Sequence, residues 1–196
     1  MKLKIQDYIK VFDDFFTKQD CKLIINSLDT FKNRTHSFYN LKSDEKINVG
    51  IDPETSFLRD EKIIPTGDLI KDKWYKIIGQ YILVFLKEQK INWYKGWNGF
   101  SFPKFIVYNK GTGMKNHCDH IHDLFNNNGQ VCGIPTLSVI TVLNDNYDGG
   151  ELVMCEKFIY KLKAGQTIIF PSNFLYPHEV KKVTKGKRYS MVSWVY

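Results

Sequence analysis

The hydrophobic pattern changes period near residue 99, and that change constrains the fold more than any other feature of the chain. Beyond Gly99, short β-type runs alternate with Gly, Asn, Asp and Pro at residues 104–108, 116–120, 136–143, 151–154, 158–162, 166–170, 176–183 and 188–196. Strands this short and this closely spaced predict a double-sheet jelly roll or barrel. Before residue 99 the spacing is helical. Thr17-Lys18-Gln19-Asp20 resembles a capping box, and Cys21, Leu23, Ile24, Ile25 and Leu28 then share one face. A second helix is predicted over about residues 68–89, where Leu69, Trp74, Ile77, Ile78, Tyr81, Ile82 and Phe85 recur at three- and four-residue steps. The polar stretch 32–65 between the helices reads as a long loop with short strands at most, of a length often used for a lid. The expected class is α+β, mainly β. A double-stranded β-helix over residues 99–196 carries a helical support region over 1–98 on one sheet, as a single domain of 196 residues.

Composition removes several functional classes. An apolar fraction of 43% excludes a disordered chain. No run of eighteen apolar residues occurs, so no membrane partner is expected, and the N-terminus turns acidic at Asp7 before any signal-type hydrophobic segment develops. Cys21, Cys118, Cys132 and Cys155 are scattered without a CxxC pair, against a zinc ribbon or a thioredoxin-like motif. Reduced thiols and a cytoplasmic location are expected. The net charge of +7 is carried by dispersed lysines, which favours surface solubility over nucleic-acid binding.

The chemistry is concentrated in His117-Cys118-Asp119. On a strand, residues two apart point to the same face, so this imidazole and carboxylate can reach one metal ion. His178, in the run Tyr176-Pro177-His178-Glu179-Val180, supplies a third ligand from another strand. Two histidines and one carboxylate on one face of an octahedral ion leave three positions open, as in non-haem Fe(II) oxygenases. Arg188 and Ser190 follow on one face of the last strand. A guanidinium there is the natural bidentate partner of a carboxylate at a closed barrel end, with the serine hydroxyl adding a bond. A surface ion pair is the other reading of Arg188. His120 and His122 form a second same-face pair that would need a further partner to bind zinc. Asp123 and Glu179 read as solvated groups or as groups supporting the ligands.

Several ordered motifs carry a family resemblance. Phe105-Ile106-Val107-Tyr108-Asn109-Lys110-Gly111-Thr112-Gly113 leads to His117-Cys118-Asp119, and Leu143-Asn144 leads through Gly149-Gly150-Glu151-Leu152. Ala164-Gly165-Gln166, Phe170-Pro171-Ser172, His178-Glu179-Val180 and Gly186-Lys187-Arg188-Tyr189-Ser190 follow. Together they resemble the prolyl 4-hydroxylase-like branch of the Fe(II)/2-oxoglutarate-dependent dioxygenases. The likeness spans roughly the C-terminal half, with a weaker match at Val11-Phe12-Asp13-Asp14-Phe15-Phe16. It implies that His117, Asp119 and His178 bind Fe(II), and that Arg188, where collagen-type members place lysine, grips the distal carboxylate of 2-oxoglutarate. It further implies that Tyr108 offers its hydroxyl to the same carboxylate, where a core tyrosine is the competing reading. O2 is then consumed, succinate and CO2 are released, and ascorbate serves as reductant. Ser190 fits a related RxS pattern of other branches, and Trp194 on the same face reads as barrel packing before substrate contact.

The implied substrate is a prolyl residue of a peptide or protein, with residues 32–65 and 122–133 as the covering segments. A free amino acid or small metabolite is the nearest alternative, because the motifs specify the co-substrate and not the substrate. Nucleic-acid demethylation is disfavoured, since the repair demethylases carry a second arginine six residues past the first, where Trp194 stands. A non-catalytic jelly-roll module with a relic site is the reading from another class. The sequence leaves the oligomeric state open.

Overall fold

The computed structural model describes residues 4–13, 15–28, 33–40, 45–53, 66–94, 97–119 and 133–196. The capping box forms as the sequence predicts. Thr17 Oγ1 accepts from the Asp20 amide at 3.1 Å, and Asp20 Oδ2 accepts from the Thr17 amide at 2.8 Å. Two donors that a helix start leaves orphaned are thereby satisfied. Helix α1 (Lys18–Leu28) then buries Cys21, Ile24 and Leu28. Helix α2 (Gly67–Gln80) buries Ile70, Trp74, Ile77 and Ile78, and continues through a π turn at Tyr81–Phe85 into a last turn, Leu86–Glu88. Lys73 Nζ meets Asp20 Oδ2 at 3.0 Å and ties the two helices together. Among the described residues no helix is long and apolar enough to cross a membrane.

Among the described residues thirteen strands follow the order β1 (Lys10–Phe12), β2 (Asn33–Asn40), β3 (Glu45–Pro53), β4 (Lys104–Tyr108), β5 (Met114–His117), β6 (Leu137–Val142), β7 (Asp148–Gly149), β8 (Leu152–Met154), β9 (Phe158–Tyr160), β10 (Thr167–Pro171), β11 (His178–Val180), β12 (Val183–Lys185) and β13 (Arg188–Val195). Seven form one sheet in the order β1-β10-β6-β13-β4-β3-β2, and four form a second in the order β5-β11-β8-β9. A short ribbon pairs β12 with β7. The two larger sheets enclose one core, with Ile106, Ile140 and Val192 from the first meeting Leu152, Met154 and Val180 from the second. This is the double-stranded β-helix, and α1 and α2 pack on the outer face of its larger sheet, as expected. There Ile24, Trp74, Ile77 and Ile78 meet Phe105, Val139, Ile169 and Met191.

Three expectations need correction. Residues 33–40 and 45–53, read as part of a long loop with short strands, form strands of eight and nine residues. They supply β2 and β3, which pair from Asn33 opposite Pro53 to Asn40 opposite Glu45 and extend the sheet beyond β4 through Ile51 opposite Val107. Polar residues fill such strands readily at a sheet edge, where one side of the ladder has no partner. The run predicted over 116–120 begins earlier and stops at His117. The run predicted over 176–183 divides, because β11 pairs with β5 and β8 whereas β12 turns away to β7.

Candidate metal and co-substrate site

The register of the smaller sheet makes the site. His178 at the start of β11 lies opposite His117, the last residue of β5, so their rings come to 4.4 Å between centroids. Asp119 lies past the end of β5, so the same-face argument for a continuous strand does not hold for it. The chain leaving β5 still returns the carboxylate between the two rings. Asp119 Oδ1 is 3.5 Å from His117 Nε2 and Oδ2 is 3.7 Å from His178 Nε2. One ligand atom from each of the three residues lies within 4.8 Å of the others.

Both imidazoles are oriented from behind. His117 Nδ1 lies 2.8 Å from the Lys115 carbonyl oxygen, and His178 Nδ1 lies 3.2 Å from that of Tyr176. A carbonyl only accepts, so each Nδ1 carries the proton and each Nε2 lone pair faces the cluster. That is the tautomer a metal ligand needs. Burial opposes charge on Asp119, but His178, His117 and the Ser138 hydroxyl outweigh it and hold the carboxyl well below the usual range. Burial also depresses His178, more than Asp119 can offset, and the neighbouring His117 adds to that effect. For His117 the balance reverses. Burial works against protonation, yet the hydrogen bond and charge of Asp119 raise it above its ordinary value. The donor set fits a divalent transition metal of intermediate softness, with His178 already held neutral, Asp119 ionised, and His117 releasing its Asp119-stabilised proton as an ion binds.

A cavity of ≈ 200 Å³ runs from these three residues into the barrel. Its walls are largely apolar, from Ile106, Met114, Ile140, Val180 and Val192. Arg188, 1% exposed, also lines it. Arg188 Nη1 donates to Ser190 Oγ at 3.0 Å, and the guanidinium carbon sits 5.2 Å from the centre of the Tyr108 ring. Arg188 pairs across the ladder with Tyr108, and Ser190 pairs with Ile106. Arg188, Ser190, Tyr108 and Trp194 thus all line the cavity. Burial pushes the Tyr108 hydroxyl up to about 12 against the opposing charge of Arg188, so it stays a neutral donor. No carboxylate pairs with Arg188 among the described residues, and its Nε has no hydrogen-bond partner. A buried guanidinium that meets the hydroxyls of Ser190 and Tyr147 but no counter-charge is costly, by several kcal/mol in a dry interior. Such a group fits a site that takes an anion. Gly150, at φ 66°, permits this placement, because a Cβ there would come within 3.0 Å of Arg188 Cδ.

His120, His122, Asp123 and most of the segment 122–133 lie outside the described residues. Glu179 pairs with Lys181 at 2.5 Å, half-buried at the surface and not among the clustered ligands. Ser138, Ser172 and Lys104 were not foreseen. Ser138 binds Asp119, Ser172 binds Ser138, and Lys104 lines the cavity. A signal existed for Ser138, which interrupts the inward-facing series it forms with Ile140 and Val142.

Comparisons with known proteins agree with this geometry. Residues 103–196 match the 2OG-Fe(II) oxygenase superfamily. A PKHD-type hydroxylase of Prochlorococcus marinus strain MIT 9312 is 33% identical over 102 residues, 49% of this chain and 44% of that one. Another, from Rippkaea orientalis, is 52% identical over 54 residues, 26% of this chain and 23% of that one. The chain thus spans less than half the length of the curated relatives it matches. Among solved structures, the viral collagen prolyl hydroxylase of Paramecium Bursaria Chlorella virus-1 aligns at TM-score 0.59 and 16% identity, over 96% of this chain and 94% of that one. A Pseudomonas putida prolyl-4-hydroxylase aligns at 0.57 and 16% identity, over 96% and 91%. Residues 103–196 accordingly belong to the 2OG-Fe(II) oxygenase superfamily. Part of the chain is similar to PKHD-type hydroxylases, and its fold is that of the solved prolyl hydroxylases.

Proposed function

We propose that this chain is an Fe(II)- and 2-oxoglutarate-dependent hydroxylase of a C–H bond, with a prolyl residue of a peptide or protein as substrate, releasing succinate and CO2. One observation carries the reading. A buried guanidinium without a counter-charge lines the same cavity as a cluster of two imidazoles and a carboxylate. His117, Asp119 and His178 would hold the iron, which supplies the one- and two-electron chemistry needed to activate O2. The protein's own part is binding and orientation. Arg188, with Ser190 beside it, binds the distal carboxylate of the co-substrate through parallel charge-assisted hydrogen bonds, and the protonated Tyr108 hydroxyl adds a neutral donor. The apolar walls exclude water around that pair and strengthen it. Trp194, half-buried on the cavity wall, is available to contact substrate.

The substrate class is supported by the collagen prolyl hydroxylase and by a Trichoplax adhaerens prolyl hydroxylase in complex with a hypoxia inducible factor peptide fragment. The latter aligns at TM-score 0.56 and 16% identity, over 97% of this chain and 84% of that one. The test incubates Fe(II)-loaded protein with 2-oxoglutarate, ascorbate as reductant, and either proline-rich peptides or free amino acids. The expected result is succinate formation with a mass gain of one oxygen atom on a prolyl peptide. Oxygen gained only by a free amino acid moves the substrate to the small-metabolite class. Absence of succinate under every condition removes the enzymatic reading.

A further inference from the structure

Two hydroxyls stand behind the Asp119 carboxylate. Ser138, on the cavity-facing side of β6, is fully buried, and Ser172, just past β10, is nearly so. Ser138 Oγ lies 2.9 Å from Asp119 Oδ2 and is hydrogen-bonded to Ser172 Oγ. The Ser172 amide donates to the Thr136 carbonyl at 2.9 Å, which fixes Ser172 against the strand that carries Ser138. The direction of the chain follows from proton counting. An ionised carboxylate only accepts, so the single proton of Ser138 goes to Asp119. Ser138 can then only accept from Ser172. The relay runs from Ser172 through Ser138 to Asp119 Oδ2, and each bond strengthens the next.

The histidines do not themselves select one carboxylate oxygen. Oδ1 is 3.5 Å from one imidazole nitrogen and Oδ2 is 3.7 Å from the other, a near-symmetric arrangement. A carboxylate binding a metal through both oxygens would take a coordination position that an incoming 2-oxo acid and O2 need. The hydroxyl breaks that symmetry. We infer that Ser138, oriented by Ser172, is a positioning residue that occupies Asp119 Oδ2 and leaves Oδ1 as the ligand atom. The inference rests on the metal-binding reading of His117, Asp119 and His178.

The experiment uses Co(II), whose visible absorption reports coordination number, titrated into the full chain under anaerobic conditions, with melting of the metal-free protein measured in parallel. Ser138→Ala should weaken Co(II) binding about tenfold or more and change the visible spectrum, because outer-shell partners of metal ligands carry effects of that size. Ser172→Ala should shift both in the same direction, by about threefold in affinity, since Ser138 keeps its bond to Asp119 but loses its orienting donor. A purely structural pair of serines would lower the melting temperature and leave the affinity and the spectrum alone. Ser138→Ala with wild-type affinity and spectrum therefore overturns the inference, whatever its melting temperature. Should Ser138→Ala fail to fold, Ser172→Ala decides by the same criterion. A wild-type chain that binds no Co(II) removes the metal reading and this inference together, whereas wild-type binding with unaltered variants removes the inference alone.

Discussion

On β13, Met191 and Val195 pack outward against α1 and α2, whereas Arg188, Ser190, Val192 and Trp194 line the cavity on the other side. The same division runs through β4, β6 and β10. Phe105, Leu137, Val139 and Ile169 join the outer core, and Ile106, Tyr108, Ile140, Val142, Ile168 and Phe170 join the inner one. The polar atoms of the outer face are mutually satisfied. Trp74 Nε1 donates to Thr141 Oγ1 at 2.9 Å, and Thr141 is paired with Thr167 at 2.7 Å. The inner face leaves Arg188 Nε without a partner and sets two histidines beside an ionised carboxylate. Buried polar groups are nearly always paired; among the described residues the Tyr8 hydroxyl, outside the sheet, and Arg188 Nε are the exceptions, and Arg188 lines the cavity, which points to a ligand. One face holds the fold and the other holds chemistry at some cost to the fold.

The sharpest break in that comparison is His178→Ala. Removing an inner-face ligand should reduce succinate formation on the order of a thousandfold or more, because the metal carries the difficult step. The metal-free protein should melt close to the wild type. Substrate-coupled turnover at the wild-type rate in this variant ends the ligand assignment. Trp74→Ala is the outer-face counterpart. Trp74 is fully buried, and its loss should cost about 3–5 kcal/mol, chiefly through the cavity left, while Thr141 keeps its bond to Thr167. Denaturant unfolding measures this, while kcat of the remaining folded fraction should hold. A loss below about 1 kcal/mol would show that the helices do not support the sheet.

These two residues also mark what the sequence made legible. Trp74 stood out through helical spacing, and His178 through a β-type run with Arg188 and Ser190 following on one face. Both signals are local, which is why one chain displays them. The capping box at Thr17 was readable for the same reason, since its partners are three residues apart. The strands β2 and β3 were less so. Ile47, Val49 and Ile51 alternate with polar residues, but the pairing partner, 33–40, is mostly polar and shows no period. Strand pairing depends on a neighbour that sequence spacing does not name. Asp119 lies beside the two imidazoles, but not through the same-face rule, because where β5 ends is set by its register with β11. Ser172 stands in the Phe170-Pro171-Ser172 motif, but nothing local names its role, which exists only through the non-local contact with Ser138.

Arg188→Met sharpens the comparison by predicting opposite signs for binding and stability. Methionine fills much of the same space without the charge. The 2-oxoglutarate KM should rise about a hundredfold through lost charge-assisted hydrogen bonds. The metal-free protein should be unchanged or stabilised by about 1 kcal/mol, because a buried charge without a counter-charge is relieved. Marked destabilisation together with an unchanged KM would make Arg188 a structural group and dissolve the distinction between the faces.

The smallest expected effect concerns Tyr108, beside Arg188 on the inner face. Its hydroxyl ordinarily ionises near 10 and is held up to about 12, chiefly by burial. Below pH 10 the group is protonated in both folded and unfolded chains, and its contribution to stability is fully present. Between about pH 10 and 12 the unfolded chain loses the proton while the folded chain retains it. Unfolding is thereby favoured, and stability falls as pH rises, by no more than about 3 kcal/mol. Tyr81 and Tyr176 are also raised by burial, but they are common to the wild type and to Tyr108→Phe and cancel in the difference. The wild type should therefore lose more stability than Tyr108→Phe across that window, and the two should run parallel below it. Parallel curves throughout would mean that the phenol ionises where a solvated one does, and the cavity floor would then be open to water on the side where Arg188 is meant to meet its anion dry.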